Sequence, residues 1–450
     1  MKQIEYASPF LKSIKLQNFM GFQEWESLLN DVTVIIGNNT KGKTSVLNGI
    51  QVALGAFLQC LGDLPGTRAY RRQILEDERY CWFDDSSRDY LYSDQKTRVS
   101  VLSSLSCVSP GQFFGTPIGW YRELVGASTS HNQRCIGELQ EFVDAVVESR
   151  KPLSDNEPDV AKKSVLPVLL SFGTNRLSSQ MRMNKDTSER MSRVKRAYKA
   201  ALTEKVDFAS AHGWFLNAEK NIRSGKEFEG TKIAFIDAIK TAIPYISEID
   251  IDMAYGELDA VVGLDARKSR HRFSQLSDGF KSMINLVAEI SHRCIELNGF
   301  LGEKSITNTP GVVLIDEIDL YLHPKWQRHV LADLKKAFPL IQFIVTTHSP
   351  FIVQSAPKNG LIVLDNESLE ENNQMASLED VAIKFMGMSE DTRRSEKYNE
   401  MVRLATEYFD IVKSGGELTT EQENRLTQIE TENSDDPAYV ALLKAERNTR

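Results

Sequence analysis

The fold of this chain is constrained most by one octet that fits the pattern G-x-x-x-x-G-K-[ST], Gly37-Asn38-Asn39-Thr40-Lys41-Gly42-Lys43-Thr44. An apolar run over 31–36 precedes the octet, and a stretch of helical character over 44–54 follows it. Strand, loop and helix in this order predict that backbone N–H groups of the loop and of the helix N-terminus surround phosphate oxygens. We therefore predict a nucleoside-triphosphate site, whose expected nucleotide contacts are Gly37, Asn38, Asn39, Thr40, Lys41, Gly42, Lys43, Thr44 and Ser45.

Two residues of the octet have specific chemical roles in this prediction. Lys43 reaches the β- and γ-phosphates, and the Thr44 hydroxyl is a ligand of Mg²⁺.

A second part of the site comes from the apolar run 311–315, which has the composition of a buried parallel strand and ends in Asp316 and Glu317. Acids at the carboxyl end of such a strand lie where open α/β sheets bind ligands. We predict Asp316 as a second Mg²⁺ ligand and Glu317 as the residue that orients or deprotonates the attacking water.

A third strand and a helix start extend the predicted site. The apolar run 342–346 leads to His348, whose ring is predicted to hydrogen-bond the γ-phosphate. The tetrad Leu276-Ser277-Asp278-Gly279 precedes a stretch with helical apolar spacing. Ser277 or Asp278 is expected to cap that helix, and its N-terminus is a second anion site. A further helix is predicted over 325–338, directly after a proline that suits a first helical turn.

Taken in order, these motifs resemble those of ABC-type ATPases, in the branch that includes RecF and SMC proteins. The resemblance implies an α/β head with a mixed sheet and flanking helices, to which this chain adds a helical insertion and a helical C-terminal region. It also implies that two copies enclose two ATP molecules, so that Ser277, Asp278 and Gly279 of one copy contact the nucleotide held by the other. One departure is Thr40, because the family usually has glycine there and a β-branched residue resists the backbone angles that glycine permits. Slow turnover is therefore expected.

A narrower resemblance covers much of the C-terminal half. The chain is similar to the Septu anti-phage defence ATPases (PtuA-like), which also occur as the ATPase of some retron systems and share a head with the overcoming-lysogenization-defect nucleases. That resemblance implies a partner, an HNH-type nuclease encoded beside the ATPase, with a retron RNA–DNA hybrid or target DNA as candidate ligands. The chain itself shows no HNH cluster and no convincing set of Toprim acids after His348. The similar blocks are 166–176, 277–283, 313–320, 323–328, 342–350 and 436–447.

Composition limits the class of protein. Hydrophobic residues make up 41% of the 450 positions, enough for buried cores, and no apolar run approaches the ~18 residues that a membrane span needs. The five cysteines are odd in number and lack the spacing of metal ligands, which fits a reducing compartment. The first residues have no apolar signal core. These features predict a cytoplasmic protein without a membrane partner.

The stretch between the octet and Leu276 is longer than a bare ATPase head needs, so material is inserted there. Helical character is expected over 132–150 and over 181–224. The last part of the chain is acidic and has helical periodicity, which is typical of a partner-docking surface and equally of a cover for the chain's own sheet. The predicted segments are residues 1–57 (N-terminal part of the head with the phosphate loop), 58–164 (head lobe and insertion), 165–270 (head strand and helical arm), 271–364 (C-terminal part of the head) and 365–450 (acidic helical docking region).

The charge distribution leaves more than one function open. The net charge of −8 is a poor match for a protein that coats DNA. Basic stretches at 182–199 and 267–272 nevertheless have the composition of a phosphate-backbone contact or of a solvated surface. The first hypothesis is a regulatory ATPase that controls a partner HNH-type nuclease through ATP-dependent head dimerisation. The second is a RecF- or SMC-like, ATP-gated DNA-binding protein of DNA repair, and the third is an ATPase without a partner.

Overall fold

The computed structural model divides the chain into two compact units, Met1–Val381 and Ala382–Arg450. Within the residues it describes, no helix is long and apolar enough to cross a bilayer. The described residues are 3–67, 69–108, 117–125, 128–130, 133–150, 164–174, 191–203, 208–252, 257–264, 267–364, 374, 377–386, 396–413, 419–432 and 437–448.

Strands and helices alternate through the first unit, and helices make up the described part of the second. The strands are β1 (Gln3–Phe19), β2 (Phe22–Leu28), β3 (Val32–Ile36), β4 (Cys81–Asp84), β5 (Asp89–Tyr92), β6 (Arg98–Val108), β7 (Gly119–Val125), β8 (Ser128–Ser130), β9 (Val168–Phe172), β10 (Ile246–Asp252), β11 (Glu257–Leu264), β12 (Arg267–Arg272), β13 (Gly311–Ile315), β14 (Ile341–Thr346) and β15 (Leu361–Val363). The helices are α1 (Lys43–Cys60), α2 (Gln133–Ser149), α3 (Arg193–Tyr198), α4 (Phe208–Arg223), α5 (Thr231–Ala242), α6 (Asp278–Asn298), α7 (Pro324–Gln327), α8 (Val330–Ala337), α9 (Pro350–Ser355), α10 (Leu378–Asp380), α11 (Glu396–Lys413), α12 (Thr420–Glu432) and α13 (Pro437–Asn448).

A parallel sheet forms the centre of the first unit. Its strand order is β15-β3-β14-β13-β9, and each neighbouring pair runs parallel. Every residue of β3, β9, β13 and β14 is buried, as expected for strands covered on both faces. Because the carboxyl ends of parallel strands meet at one edge, the segments that follow β3, β13 and β14 are brought together there. These three segments contain the predicted phosphate loop, the predicted acid pair and His348.

An antiparallel sheet with strand order β2-β1-β6-β7-β8 lies against the parallel one. One buried side chain joins the two sheets. The Gln342 side chain on β14 accepts from the backbone N–H of Leu11 on β1 at 2.8 Å and donates to its carbonyl oxygen at 2.8 Å. Leu11 lies where the pairing of β1 with β6 shifts register, so Gln342 satisfies backbone groups that the β1–β6 pairing leaves there. The helix predicted within 132–150 is α2.

The prediction of one continuous helix over 325–338 is wrong. The structure has α7 and α8 instead, separated at 328–329. The first turn is held in place by Gln327, whose Nε2 donates to the carbonyl of Leu322 at 2.8 Å and whose Oε1 accepts from the hydroxyl of Ser349 at 2.6 Å. After the interruption, α8 turns its apolar residues into the core. Local helix propensity is thus overridden by contacts to two neighbouring turns.

The helical arm predicted over 181–224 is likewise interrupted. Residues 181–190 lie outside the described part of the chain, and the rest contains α3 and α4 with a turn after α3. Ala200 in this turn has a φ of 54°, in the left-handed region, which no helix interior allows. The turn is held by Arg293 of α6, whose Nη1 donates to the carbonyls of Ala197 at 2.6 Å and Lys199 at 2.9 Å.

The interior of α6 carries an unusual number of buried charges. Arg293 donates from Nε to Glu289 Oε1 at 2.6 Å, and both side chains are almost fully excluded from solvent. Glu296, one turn further, accepts from Arg196 of α3 at 2.9 Å. Burial acts to raise the pKa of Glu296, but His292 and then the arginines Arg193 and Arg196 outweigh it and hold the pKa at about 2. The arm is therefore joined to α6 by ion pairs as well as by packing.

The second unit packs α11, α12 and α13 around its own small core. The buried cluster contains Leu404, Tyr408, Val412, Leu426, Ile429 and Leu443. The Tyr408 hydroxyl donates to Glu430 at 2.7 Å, and Arg447 also binds Glu430 at 3.2 Å. The apolar periodicity seen around Tyr408 and Val412 therefore serves packing within this unit. Whether the unit docks a partner stays a prediction.

Candidate functional site

The phosphate loop follows β3 and leads directly into α1, in the order that its sequence predicts. Gly42 precedes α1 with a φ of 95°, and the side chain of Lys43 folds back over the loop. Its ammonium donates to the carbonyl of Gly37 at 2.6 Å and to that of Asn38 at 3.1 Å. The loop thus encloses the charged end of Lys43, which is how a phosphate loop presents a cation to bound oxygens.

Phe22, at the start of β2, is a part of the site that sequence reasoning missed. Its ring lies so close to Gly42 that a Cβ at this position would meet the ring at 2.6 Å. Gly42 is therefore suited to its left-handed backbone, and a side chain at this position would also have to displace the Phe22 ring. A single aromatic residue after a strand gives no signal for such a contact, because the two segments are joined only by the tertiary fold.

Thr40 adopts the backbone angle that was expected to be unfavourable for it. Its φ is 72°, in the left-handed region, where a β-branched side chain costs free energy. Strained residues of this kind cost of order 1–3 kcal/mol each and occur preferentially at functional sites. Thr40 therefore carries a backbone strain that glycine would not have at this position.

We expect Thr40→Gly to raise the free energy of unfolding by about 1 kcal/mol, because relief of the left-handed strain exceeds the entropy that glycine loses on folding. Urea unfolding followed by circular dichroism measures the change. Thr67→Gly is the matched control, since Thr67 is exposed and is absent from the residues with positive φ. The control should lose about 0.5–1 kcal/mol. Equal losses in the two variants would contradict the assignment of strain to Thr40.

The predicted metal ligands lie together although they are far apart in sequence. The hydroxyl of Thr44 donates to Asp316 Oδ2 at 3.2 Å, joining the first turn of α1 to the end of β13. The other oxygen of Asp316 accepts from the hydroxyl of Thr346 at 2.5 Å. Hydroxyl and carboxylate oxygens are the ligands that Mg²⁺ prefers, usually with waters and substrate phosphates. Thr44 and Asp316 therefore fit a Mg²⁺ ion bound together with a triphosphate.

Thr346 also positions the second acid. Its hydroxyl oxygen accepts from the backbone N–H of Glu317 at 2.8 Å. Glu317 has a φ of 47°, so the backbone is strained at the residue predicted to act on water. Sequence reasoning did not single out Thr346, because its role depends on β14 lying beside β13 in the folded sheet. The Glu317 side chain is half-buried at the carboxyl edge of the sheet.

His348 follows β14 on the same edge of the sheet and is exposed. Its segment is held by Asp319, another residue that sequence reasoning missed. One carboxylate oxygen of Asp319 accepts from the hydroxyl of Thr347 at 2.6 Å and from the backbone N–H of His348 at 3.3 Å. The turn after β13 and the turn after β14 are thus bonded to each other. Any ligand that moves one of them acts on the other.

The Leu276–Gly279 turn lies at the start of α6, as predicted. The capping hydrogen bond predicted there is not formed by the N-cap side chain. Ser277 occupies the N-cap position, yet its side chain makes no capping hydrogen bond, and both Ser277 and Asp278 are exposed. Gly279 packs against the turn after β13, where a Cβ would meet the carbonyl oxygen of Tyr321 at 2.7 Å. The Ser277 hydroxyl is thus presented at the surface from a turn that the acid segment supports.

Comparisons with known proteins match this chain to AAA domains and to ATPases. A family model described as "AAA domain" matches residues 13–233, and one described as "AAA domain, putative AbiEii toxin, Type IV TA system" matches residues 193–354. The "Retron Ec83 probable ATPase" of Escherichia coli is 24% identical over 436 residues, 81% of this chain and 73% of the relative. The "Retron Vc95 probable ATPase" of Vibrio cholerae serotype O1 biovar El Tor is 32% identical over 187 residues, 40% and 35% of the two chains.

The "Septu protein PtuA" of Bacillus thuringiensis is 35% identical over 145 residues, 29% of this chain and 35% of that protein. The chain is thus similar to Septu and retron ATPases. These relatives confirm the narrower resemblance, and the parallel sheet with flanking helices confirms the predicted fold class. The matches span 35% of the length of both the Vibrio and the Bacillus relatives.

Solved structures similar to this chain include SMC heads. The SMC head bound to the C-winged helix domain of ScpA has a TM-score of 0.42 and 15% identity, covering 77% of this chain and 92% of that one. The SMC head domain from Thermotoga maritima has a TM-score of 0.39 and 15% identity over the same shares.

Proposed function

We propose that this protein binds and hydrolyses ATP as the regulatory subunit of an anti-phage defence complex in the cytoplasm. In this proposal two copies close on two ATP molecules, and the closed form controls a separate HNH-type nuclease. The observation that carries it is the 3.2 Å contact between Thr44 and Asp316, which joins the phosphate loop to the acid pair across 272 positions of sequence. The relationship to Septu and retron ATPases supports the defence role and the partner.

Each residue then has a defined task. Lys43 and the loop N–H groups hold the β- and γ-phosphates, and Thr44 with Asp316 holds the Mg²⁺, which neutralises charge on the phosphates when bound. Glu317 orients the attacking water or takes its proton. His348, on the turn bonded to Asp319, is placed to hydrogen-bond the γ-phosphate. Loss of that phosphate changes what His348 and the Asp319 turn contact.

The pairing of two copies is supported by the surface at the start of α6. Ser277 is exposed and its side chain makes no cap bond within its own helix. A second copy that brings a γ-phosphate to this turn gives its hydroxyl and the helix N-terminus a ligand. ATP then favours the closed pair by as much as its affinity for the two forms differs, and the nuclease partner responds to that equilibrium.

A DNA-binding protein of the RecF or SMC type remains the alternative hypothesis. The basic stretch 267–272 is partly neutralised within its own sheet, because Arg270 binds Asp259 at 3.1 Å and Glu248 at 3.0 Å. Half of the other basic stretch, 182–199, lies outside the described residues. Affinity for duplex DNA that falls steeply with salt on the purified protein would favour this alternative over the nuclease regulator.

We expect Ser277→Arg to bind ATP normally but to weaken ATP-dependent pairing about 100-fold, because an arginine at a closed interface has no room and no partner. Sedimentation velocity with and without ATP measures pairing, and equilibrium binding of a fluorescent ATP analogue measures affinity. Lys43→Ala is the informative companion, since it should lose nucleotide binding and pairing together. Pairing of Ser277→Arg at wild-type strength would remove the α6 turn from the proposed site.

Co-purification with the HNH-type protein encoded beside this chain tests the partner. We expect the nuclease activity of the complex to differ between samples with ATP and samples without it. The same activity under both conditions, in a complex that still hydrolyses ATP, would contradict regulation of the nuclease.

A further inference from the structure

A two-stranded hairpin of the first unit, β4 with β5, exposes large apolar side chains on both faces. Trp82 pairs with Leu91 and Phe83 pairs with Tyr90, so each face carries one of these pairs. The exposed fractions are 44% for Trp82, 50% for Phe83, 61% for Tyr90, 40% for Leu91 and 44% for Tyr92. An isolated two-stranded hairpin is marginal in water, and contiguous exposed apolar surface marks an interaction site.

The base of this hairpin is fixed beside the phosphate loop. The carbonyl of Asn18, near the end of β1 and just before the turn to β2, accepts from the backbone N–H of Tyr80 at 2.9 Å, and its side-chain oxygen accepts from the hydroxyl of Ser93 at 3.2 Å. Both ends of the hairpin are thus bonded to one residue. The same turn leads to Phe22, whose ring covers Gly42 of the phosphate loop.

The hairpin is acidic as well as aromatic. Residues 76–94 contain seven acids and two arginines. At the turn, Asp85 and Asp89 are exposed. A surface of this kind suits a partner that presents basic side chains, because carboxylates pair with them and aromatic faces attract cations.

The chain itself carries a basic counterpart on β12. This strand is an edge of the β10-β11-β12 sheet, and Lys268, Arg270 and Arg272 alternate along it on one face. Arg270 is already paired with Asp259 and Glu248 within this sheet, so the charge assigned to the contact is that of Lys268. The strand is followed, after the short turn Phe273–Gln275, by Leu276 and the exposed Ser277 at the start of α6. The basic strand therefore borders the Leu276–Gly279 turn at the start of α6, as the acidic hairpin borders the phosphate loop.

We propose that the β4–β5 hairpin of one copy docks on strand β12 of a second copy, once beside each ATP. This inference rests on the proposed function, in which the phosphate loop of one copy faces the Ser277 turn of the other. In that arrangement the hairpin and β12 border the two halves of the same composite site. The contact buries Phe83 and Tyr90, which share one face of the hairpin, and sets the acidic hairpin turn against Lys268.

The test is ATP-dependent pairing of full-length protein in a Glu317→Gln background, measured by sedimentation with ATP and Mg²⁺. Phe83→Ser with Tyr90→Ser should weaken pairing about tenfold or more at any salt concentration, as loss of buried aromatic anchors does. Asp85→Lys with Asp89→Lys, and separately Lys268→Glu, should each weaken it about tenfold at low salt. Combining the two charge reversals should bring pairing back to within about threefold of the parent.

Ile233→Ser is the matched control for the aromatic change, because Ile233 is 51% exposed on α5, away from the hairpin. It should pair like the parent. ATP affinity measured on each variant should be unchanged, since none of these side chains belongs to the phosphate loop.

The outcomes separate this inference from the proposed function. If the parent pairs with ATP, Ser277→Arg abolishes pairing and every hairpin and β12 variant pairs normally, the hairpin contact is wrong while the composite site stands. If the hairpin variants pair normally but lose the HNH-type protein, the patch serves that partner and the inference is overturned. If the parent itself does not pair with ATP, the proposed function fails and the hairpin contact fails with it.

Discussion

Glu317→Gln should lower the rate of ATP hydrolysis about 10²–10⁴-fold, the usual contribution of a general base, while leaving ATP affinity within about threefold of wild type. Glutamine keeps the size of the side chain, so the Glu317 backbone bond to Thr346 and the strained φ of 47° are preserved. What is lost is the carboxylate that orients water or accepts its proton.

Single-turnover phosphate release and equilibrium nucleotide binding separate the two effects. Glu303→Gln is the matched control, because Glu303 is an exposed carboxylate in the Gly299–Lys304 segment, outside the proposed site. It should hydrolyse ATP at the wild-type rate. Hydrolysis by Glu317→Gln within about threefold of wild type would exclude this residue from the chemical step.

Arg293→Leu should lower the free energy of unfolding by about 3–5 kcal/mol, as removal of one partner of a buried ion pair does. The substitution leaves the completely buried Glu289 without its ion-pair partner, and it leaves the carbonyls of Ala197 and Lys199 without this donor. Since these carbonyls end α3, the helical arm should loosen from α6. Urea unfolding gives the free energy, and hydrogen exchange over residues 193–203 reports the arm.

Two variants make this result specific. Arg223→Leu removes an arginine from an exposed pair with Glu219 and should cost less than about 0.5 kcal/mol. Adding Glu289→Met to Arg293→Leu removes the unpaired buried carboxyl and should recover part of the lost free energy of unfolding. A cost below about 1 kcal/mol for Arg293→Leu alone would mean that solvent reaches Glu289, contrary to its burial.

The carboxyl edge of the parallel sheet shows why the site was accessible to sequence reasoning. The loop at 37–44 and the acids at 316–317 each follow a short apolar run, and parallel strands bring their carboxyl ends to one edge. The unfavourable backbone of Thr40 was also predictable, because the loop pattern requires an angle that its side chain resists. Local chemistry was enough for these residues.

Other features depend on contacts between segments that no local pattern connects. Thr346 became important because β14 lies beside β13, Asp319 because its turn meets the turn after β14, and Phe22 because its ring covers Gly42. The break between α7 and α8 has the same origin, since Gln327 bonds two neighbouring turns.

The amino-acid sequence by itself thus determined the elements of this protein and the chemistry at their ends, because strand burial, loop glycines and helix starts are set by a few neighbouring residues. Only the tertiary structure decided which side chains support those ends, where helices stop and which apolar surfaces stay uncovered, because each of these depends on residues that folding brings together from distant positions.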